Sequence, residues 1–303
     1  MGAPSWTEEG DAMKRKGLFP KCLVAGLSAA LIAVTVWGLL ALERLSEKAA
    51  EGAVKDPPYA QDTTARTDPA ETVPSQPPTA EQIVEDFAAQ HGLTLADYPE
   101  ELIQALEREP ELEEFVLNYP LEHGKEHAID ISGYAYVEGV PLFLQWDRQW
   151  GYKDYVGSVA GVAGCGPTCM SMVVYHFTRD PAMHPGYMMD LAQSDRTYAN
   201  EAVNTQWAFF SQGGKELGLT VEELTKEQIQ DPARIAQVLD QGKVIVANVG
   251  PGVFTDTGHY LVIWGHEDGA FRINDPFSLE NSQRLWSFDE FGDQIKMMWA
   301  FSK

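Results

Sequence analysis

The chain is poor in cysteine, with 3 in 303 residues, which excludes a small scaffold stapled by disulfides. It is also poor in positive charge: 22 Lys and Arg stand against 45 Asp and Glu, a net charge of −23 at pH 7. Binding to nucleic acid needs basic side chains that displace the counterions of the phosphate backbone, so no nucleic-acid partner is expected. Internal repeats are absent by inspection. What remains is an ordinary supply of core-forming side chains, 44% hydrophobic and 11% aromatic, which excludes wholesale disorder despite the charge.

Long apolar runs are scarce, with one exception. Cys22 to Leu42 is a stretch of 21 residues without a charged side chain, enough to cross a bilayer as one helix. Lys14, Arg15, Lys16 and Lys21 precede it, whereas Glu43, Arg44, Glu47 and Lys48 follow it. Positive charge on the N-terminal side predicts that residues 1–21 stay in the cytoplasm, that 22–42 form a transmembrane anchor, and that the remainder is extracytoplasmic in the cell membrane. The apolar core of a cleavable signal peptide is usually shorter, roughly 7–15 residues, so an uncleaved anchor is the preferred reading. Cys22 lies in the span, which leaves Cys165 and Cys169 outside. Four apart on a helix, these two share one face one turn apart, a geometry that resists a disulfide, so at least one free thiol is expected.

Residues 43–78 read as a proline-rich linker, with Pro57, Pro58, Pro69, Pro74, Pro77 and Pro78 among small and polar residues; such a stretch cannot build a core. Residues 79–134 read as an acidic helical module. Thr79 with Gln82 forms a capping-box pattern, and Gly92 ends the first helix. Pro99 and Pro110 then suit the first turns of two more helices. Between residues 80 and 119 eleven acids face a single Arg108; a solvated outer face explains them better than a docking surface for basic peptides. Residues 135–303 form the main domain. Helices are predicted from Gly166-Pro167 to about Phe177, and from Asp231-Pro232 to Gly242. Strands are predicted at Val244–Ala247, Tyr260–Trp264 and Phe271–Ile273, with Glu267-Asp268-Gly269 as the turn between the last two.

The residues that could carry chemistry lie in this domain. In Gly164-Cys165-Gly166-Pro167-Thr168 a thiol precedes a helix, where free backbone N–H groups and the helix dipole favour a thiolate. The flanking glycines are expected to leave room for a substrate backbone. Cys169, one turn further along, reads as core. A thiolate needs a histidine partner held by a third group. His176 sits 11 residues along the same helix, about 16 Å away at 1.5 Å per residue, and cannot reach. His91 and His184 have no evident partner. His259 follows Gly258 at the start of one strand and Asp275 lies at the exit of the next, so a hairpin turning near residue 267 brings them together. His266, in that turn, should be solvated. Strand alternation should point Asn274 to the opposite face. His123-Gly124-Lys125-Glu126-His127 spells a zinc-peptidase pattern that requires a helix. Pro120 and Gly124 argue for a loop there, and neither metal nor cofactor is assigned.

Gln145-Trp146-Asp147, Gly164-Cys165-Gly166-Pro167-Thr168, Gly258-His259-Tyr260 and Asn274-Asp275-Pro276 together resemble the papain-like double-glycine leader peptidases that process bacteriocins, in their stand-alone, membrane-anchored, extracytoplasmic branch. The resemblance covers about residues 140–303. It implies Cys165 as nucleophile, His259 as general base and then acid, and Asp275 as orienting carboxylate. It also implies Gln145 as oxyanion-hole donor beside the Cys165 backbone N–H, although 20 residues separate the two.

The expected fold is therefore α+β: a papain-like cysteine peptidase with its catalytic helix packed on an antiparallel sheet, preceded by the helical module and one transmembrane helix. The expected activity is hydrolysis of a peptide or protein substrate through a thioester. A cell-wall peptide amidase or an acyltransferase would use the same triad, and a catalytically silent peptide-binding domain is the reading from another class.

Overall fold

The computed structural model describes residues 77–303. The predicted cytoplasmic segment 1–21, the anchor 22–42 and most of the linker 43–78 lie outside the described residues. Among the described residues no helix is long and apolar enough to cross a membrane.

Local signals set the first helices. Helix α1 (Ala80–His91) starts at the capping box: the Thr79 hydroxyl accepts from the Gln82 N–H at 3.2 Å, and Gln82 Oε1 accepts from the Thr79 N–H at 2.9 Å. It closes on Gly92 at φ +71°, a left-handed conformation that glycine adopts without strain. Helix α2 (Glu100–Arg108) follows Pro99, which occupies the cap rather than the first turn. A 3₁₀ turn at Pro110–Leu112 leads into α3 (Glu113–Glu122), which holds Pro120 in its last turn. Most of the acids on these helices face solvent, whereas Val84, Ala88, Leu102, Leu106 and Val116 turn inward. They share one apolar core with Tyr152, Val159 and Phe277 of the chain that follows.

That chain forms a β1 (Asp154–Tyr155) and β2 (Ser158–Val159) hairpin, a short helix α4 (Ala160–Ala163) and the long helix α5 (Cys165–Thr178). Every α5 residue from Gly166 to Tyr175 is buried; a helix apolar on all sides belongs inside a domain. Helix α6 (Pro185–Ser194) packs against it. A second small hairpin, β3 (Ala199–Asn200) with β4 (Asn204–Thr205), precedes a π-helical turn (Phe209–Gly213) and the short α7 (Gly214–Glu216).

The main sheet is six-stranded and wholly antiparallel, in the order β5-β10-β6-β7-β8-β9. Its strands are β5 (Thr220–Glu223), β6 (Val244–Val249), β7 (His259–Glu267), β8 (Ala270–Asn274), β9 (Leu285–Ser287) and β10 (Ile295–Ser302). Helix α8 (Pro232–Asp240) precedes β6 and takes its N-cap from Asp231, whose carboxylate accepts from the Ala233 and Arg234 N–H groups. Two short helices, α9 (Leu279–Gln283) and α10 (Phe288–Phe291), flank β9. Both faces of the sheet are covered, which is why β6 is apolar at nearly every position. Val244, Val246, Tyr260 and Val262 pack on the side of α5, while Ile245, Ala247, Leu261 and Ile263 pack on the side of α8. Each buried Val, Leu and Ile among them contributes roughly 1.5–3 kcal/mol by leaving water.

Phe115 of α3 is the tightest joint between the helical module and α4. A Cβ added at Gly161 would stand 2.2 Å from the Phe115 ring, closer than any side chain tolerates. Gly161→Ala is therefore expected to destabilise the protein by about 2 kcal/mol through overpacking, read as a lowered thermal midpoint, and Phe115→Leu in the same chain should recover part of it. Equal stability of Gly161→Ala and the parent would contradict the joint.

Candidate active site

Cys165 is the first residue of α5 and is partly exposed. At this position the helix presents first-turn N–H groups without intrahelical acceptors, and its dipole favours an anion at the sulfur. The flanking glycines serve packing rather than access. A Cβ at Gly164 would meet the Ala160 carbonyl oxygen at 2.4 Å, and one at Gly166 would meet Thr205 at 2.6 Å. Open space lies instead at Gly258, where the nearest neighbour of an added Cβ is 3.8 Å away. Thr205 is fixed beneath the cysteine by Tyr155, whose hydroxyl meets the Thr205 hydroxyl at 2.7 Å, and by Tyr260, whose hydroxyl donates to its carbonyl at 2.9 Å. Cys169 is fully buried, and burial pushes its thiol well above the ordinary value.

His259 opens β7, the strand that pairs with β8 through a tight turn at Asp268 (φ +50°) and Gly269 (φ +83°). The ladder aligns Val262 with Asn274 and carries an irregularity between Ile263 and Gly265. Continued one step, it sets Asp275 level with Leu261, two residues from His259. The side chains still meet: His259 Nε2 lies 2.7 Å from Asp275 Oδ1, with the two residues only 6% and 1% exposed. Cys165 lines the same hollow as His259, whose other ring nitrogen is left without a side-chain hydrogen-bond partner of its own among the described residues. Burial alone would discharge the ring, but the Asp275 charge and hydrogen bond, with the neighbouring Cys165 adding to them, more than offset it and raise the His259 pKa to about 10. Asp275 is itself held on several sides. Its Oδ1 also accepts from the Phe277 N–H at 2.9 Å, its Oδ2 accepts from Asn281 Nδ2 at 2.9 Å, and its own N–H donates to the Ser282 hydroxyl at 2.8 Å. Asn281 and Ser282 were not singled out from sequence; the available signal was Ser278, which caps α9 by accepting from the Asn281 N–H.

Asn274 points the other way. Its Nδ2 donates to the Val140 and Pro141 carbonyls at 3.1 Å each, and its Oδ1 accepts from Trp264 Nε1 at 2.8 Å. Gln145 lines the same hollow as Cys165 and His259, and the 20-residue gap to the cysteine is filled by the β1–β2 hairpin and α4. Its Nε2 donates to the Gly161 and Val162 carbonyls at 3.0 Å each, and its buried Oε1 has no partner. Both amide protons are therefore engaged, and oxyanion donation requires the amide to turn one of them into the hollow.

The remaining histidines are accounted for elsewhere. His176 contacts the Gly139 carbonyl, His184 caps α6, and His266 pairs with Asp240 at 2.9 Å. His91 contacts the Phe87 carbonyl, one turn back. The segment from His123 to His127 follows the end of α3 and is not helical; His123 meets Asp154 at 2.8 Å, and His127 lies 3.7 Å from Glu122.

Two hollows meet at Cys165. One, of about 670 Å³, extends past Val203, Trp207 and Asn248. The other, of about 340 Å³, extends past Gln145, Phe254 and Arg108. Trp207 and Val203 are half exposed or more, so an extended chain passing the sulfur would find a mixed surface on their side and a more polar one on the other.

An antiparallel sheet, a helix that begins with a thiol, and a His–Asp contact beside it define a cysteine-peptidase-like protein. Residues 137–300 match the Peptidase_C39 like family, and the chain belongs to it. Among solved structures, the peptidase domain of Streptococcus ComA, a bi-functional ABC transporter involved in a quorum sensing pathway, is 18% identical with a TM-score of 0.34, over 46% of this chain and 90% of that one. A putative C39-like peptidase from Bacillus anthracis is 15% identical with a TM-score of 0.33, over 55% and 98%. No curated protein matches the chain.

The contrast between neighbouring residues is testable. Asn274→Ala should cost roughly 2 kcal/mol of stability by stranding two carbonyls and the Trp264 N–H, while the folded protein keeps its rate of Cys165 alkylation. Asp275→Asn should slow that alkylation. The reverse pattern would move the third role to Asn274.

Proposed function

We propose that the protein is a membrane-anchored, extracytoplasmic cysteine peptidase that cleaves peptide bonds through Cys165, His259 and Asp275. The observation that carries this reading is the His259 ring, bonded to Asp275 through Nε2 at 2.7 Å and lining one hollow with Cys165. His259 holds the Cys165 proton as imidazolium at rest, and the thiolate sulfur attacks the scissile carbonyl. The oxyanion then forms beside the Cys165 backbone N–H, with Gln145 as second donor once its amide turns. Collapse expels the amine, which receives the proton from His259 and leaves a thioester. A water deprotonated by the same ring attacks the thioester, and the acid product departs as the thiolate–imidazolium pair is restored. Asp275 fixes the ring orientation and stabilises the imidazolium, so it neither gains nor loses a proton.

The length of the apolar stretch 22–42 supports an uncleaved anchor, and the charge asymmetry around it supports a catalytic domain outside the cytoplasm. Protease added to intact cells should digest the C-terminal domain and spare the first twenty residues; protection of the domain would contradict the orientation.

A thiol-directed covalent probe followed by peptide mapping tests the activity. Cys165 should carry the label and Cys169 should not. Cys165→Ala should lower turnover of a cleavable peptide by at least about 10⁴-fold, whereas Cys169→Ala should keep turnover and cost about 1–2 kcal/mol of packing. A Cys165 that stays unlabelled in the folded protein would favour a silent peptide-binding domain instead.

A further inference from the structure

We infer that Glu111, which lies on the helical module and outside the family-matched residues 137–300, is a positioning residue for the Asp275–His259 pair. The inference rests on the triad reading above. Residues 275–278 lead from β8 into α9, and α9 sends Asn281 and Ser282 back to Asp275: Asn281 Nδ2 donates to Oδ2 at 2.9 Å, and Ser282 accepts from the Asp275 N–H at 2.8 Å. Yet α9 has only five residues, too few to hold its own shape, because the first helical turn fixes several residues for little return in hydrogen bonds. Something else must fix its start.

Glu111 does so from the other side of the interface. Its Oε2 accepts from the Leu279 N–H at 2.6 Å, and from the Glu280 N–H and the Ser278 hydroxyl at 3.4 Å each. Hydrogen bonds to a carboxylate are about twice as strong as those between neutral groups, and Ser278 is only 2% exposed, so little water competes at that end. The same corner between α2 and α3 grips the segment once more, where the Arg108 guanidinium lies 4.7 Å over the Phe277 ring. A continuous chain of contacts thus runs from Glu111 through α9 and Asn281 to Asp275, and from there to His259. Glu111 touches no reacting atom. Its part is to keep the second oxygen of Asp275 bonded, so that the first stays aimed at the imidazole.

The test uses the rate at which iodoacetamide alkylates Cys165, followed by mass spectrometry in folded protein at neutral pH, with thermal midpoints measured in parallel. Glu111→Ala should slow Cys165 alkylation on the order of 10-fold, the usual scale for losing a partner that orients a functional side chain. Glu111→Gln, which keeps an acceptor oxygen in place, should restore most of the rate. Glu111→Asp, whose carboxylate is drawn back by one methylene, should not, and it decides the question if the alanine variant fails to fold. A purely structural role predicts lowered midpoints with the alkylation rate unchanged in every folded variant, and that result overturns the proposal. Wild-type Cys165 reacting no faster than Cys165 in His259→Ala would instead sink the triad reading, and the role of Glu111 with it.

Discussion

Removing a charged imidazole and a carboxylate from water costs several kcal/mol per ion, and the cost is recovered only when geometry is good and the remaining lone pairs are satisfied. The His259–Asp275 contact meets that condition, and much of the surrounding architecture can be understood as meeting it. Asp275 receives hydrogen bonds from the ring, from the Phe277 N–H and from Asn281. The tight turn at Asp268 and Gly269 sets the β7–β8 register, and the short helix α9 supplies the third donor. Remove any of these and a buried charge is left facing apolar neighbours, so the sheet register, the turn and α9 are linked to the chemistry rather than incidental to it.

Much of this was legible in the sequence where local physics dominates. The Thr79–Gln82 capping box, the left-handed Gly92, the Asp231 cap and the strands of β6 to β8 follow from side chains a few residues apart, and the structure has them at or near the predicted places. The pairing of His259 with Asp275 was legible because a tight hairpin turns distance along the chain into proximity. Its register was not, since the irregularity between Ile263 and Gly265 depends on packing across the sheet. Nor was the arrangement of β5, β9 and β10, which pair with partners remote in sequence. The role given to Gly164 and Gly166 failed for the same reason. Sequence shows that a side chain is missing, not which neighbour fills its space, and here Ala160 and Thr205 fill it while Gly258 stays open.

The acidic helices make the same point in another form. Their charge count describes a solvated face, and most of the acids do face solvent, but the apolar stripe beneath them completes a core with Tyr152, Val159 and Phe277. Arg108, the one base between residues 80 and 119, spends its guanidinium on Phe277, two residues beyond Asp275. The module is thus continuous in packing with the loop behind the His259–Asp275 pair.

The most direct measurement is the protonation state of the buried ring. In protein labelled with ¹⁵N-histidine, with the signal assigned by its loss in His259→Gln, the His259 nitrogens should report a protonated imidazole through neutral pH, releasing its proton near the value of about 10 that Asp275 imposes together with the neighbouring Cys165. A ring that titrates at or below the ordinary histidine value of about 6.5 would mean that burial outweighs Asp275, and the charged pair at the centre of this account would not exist.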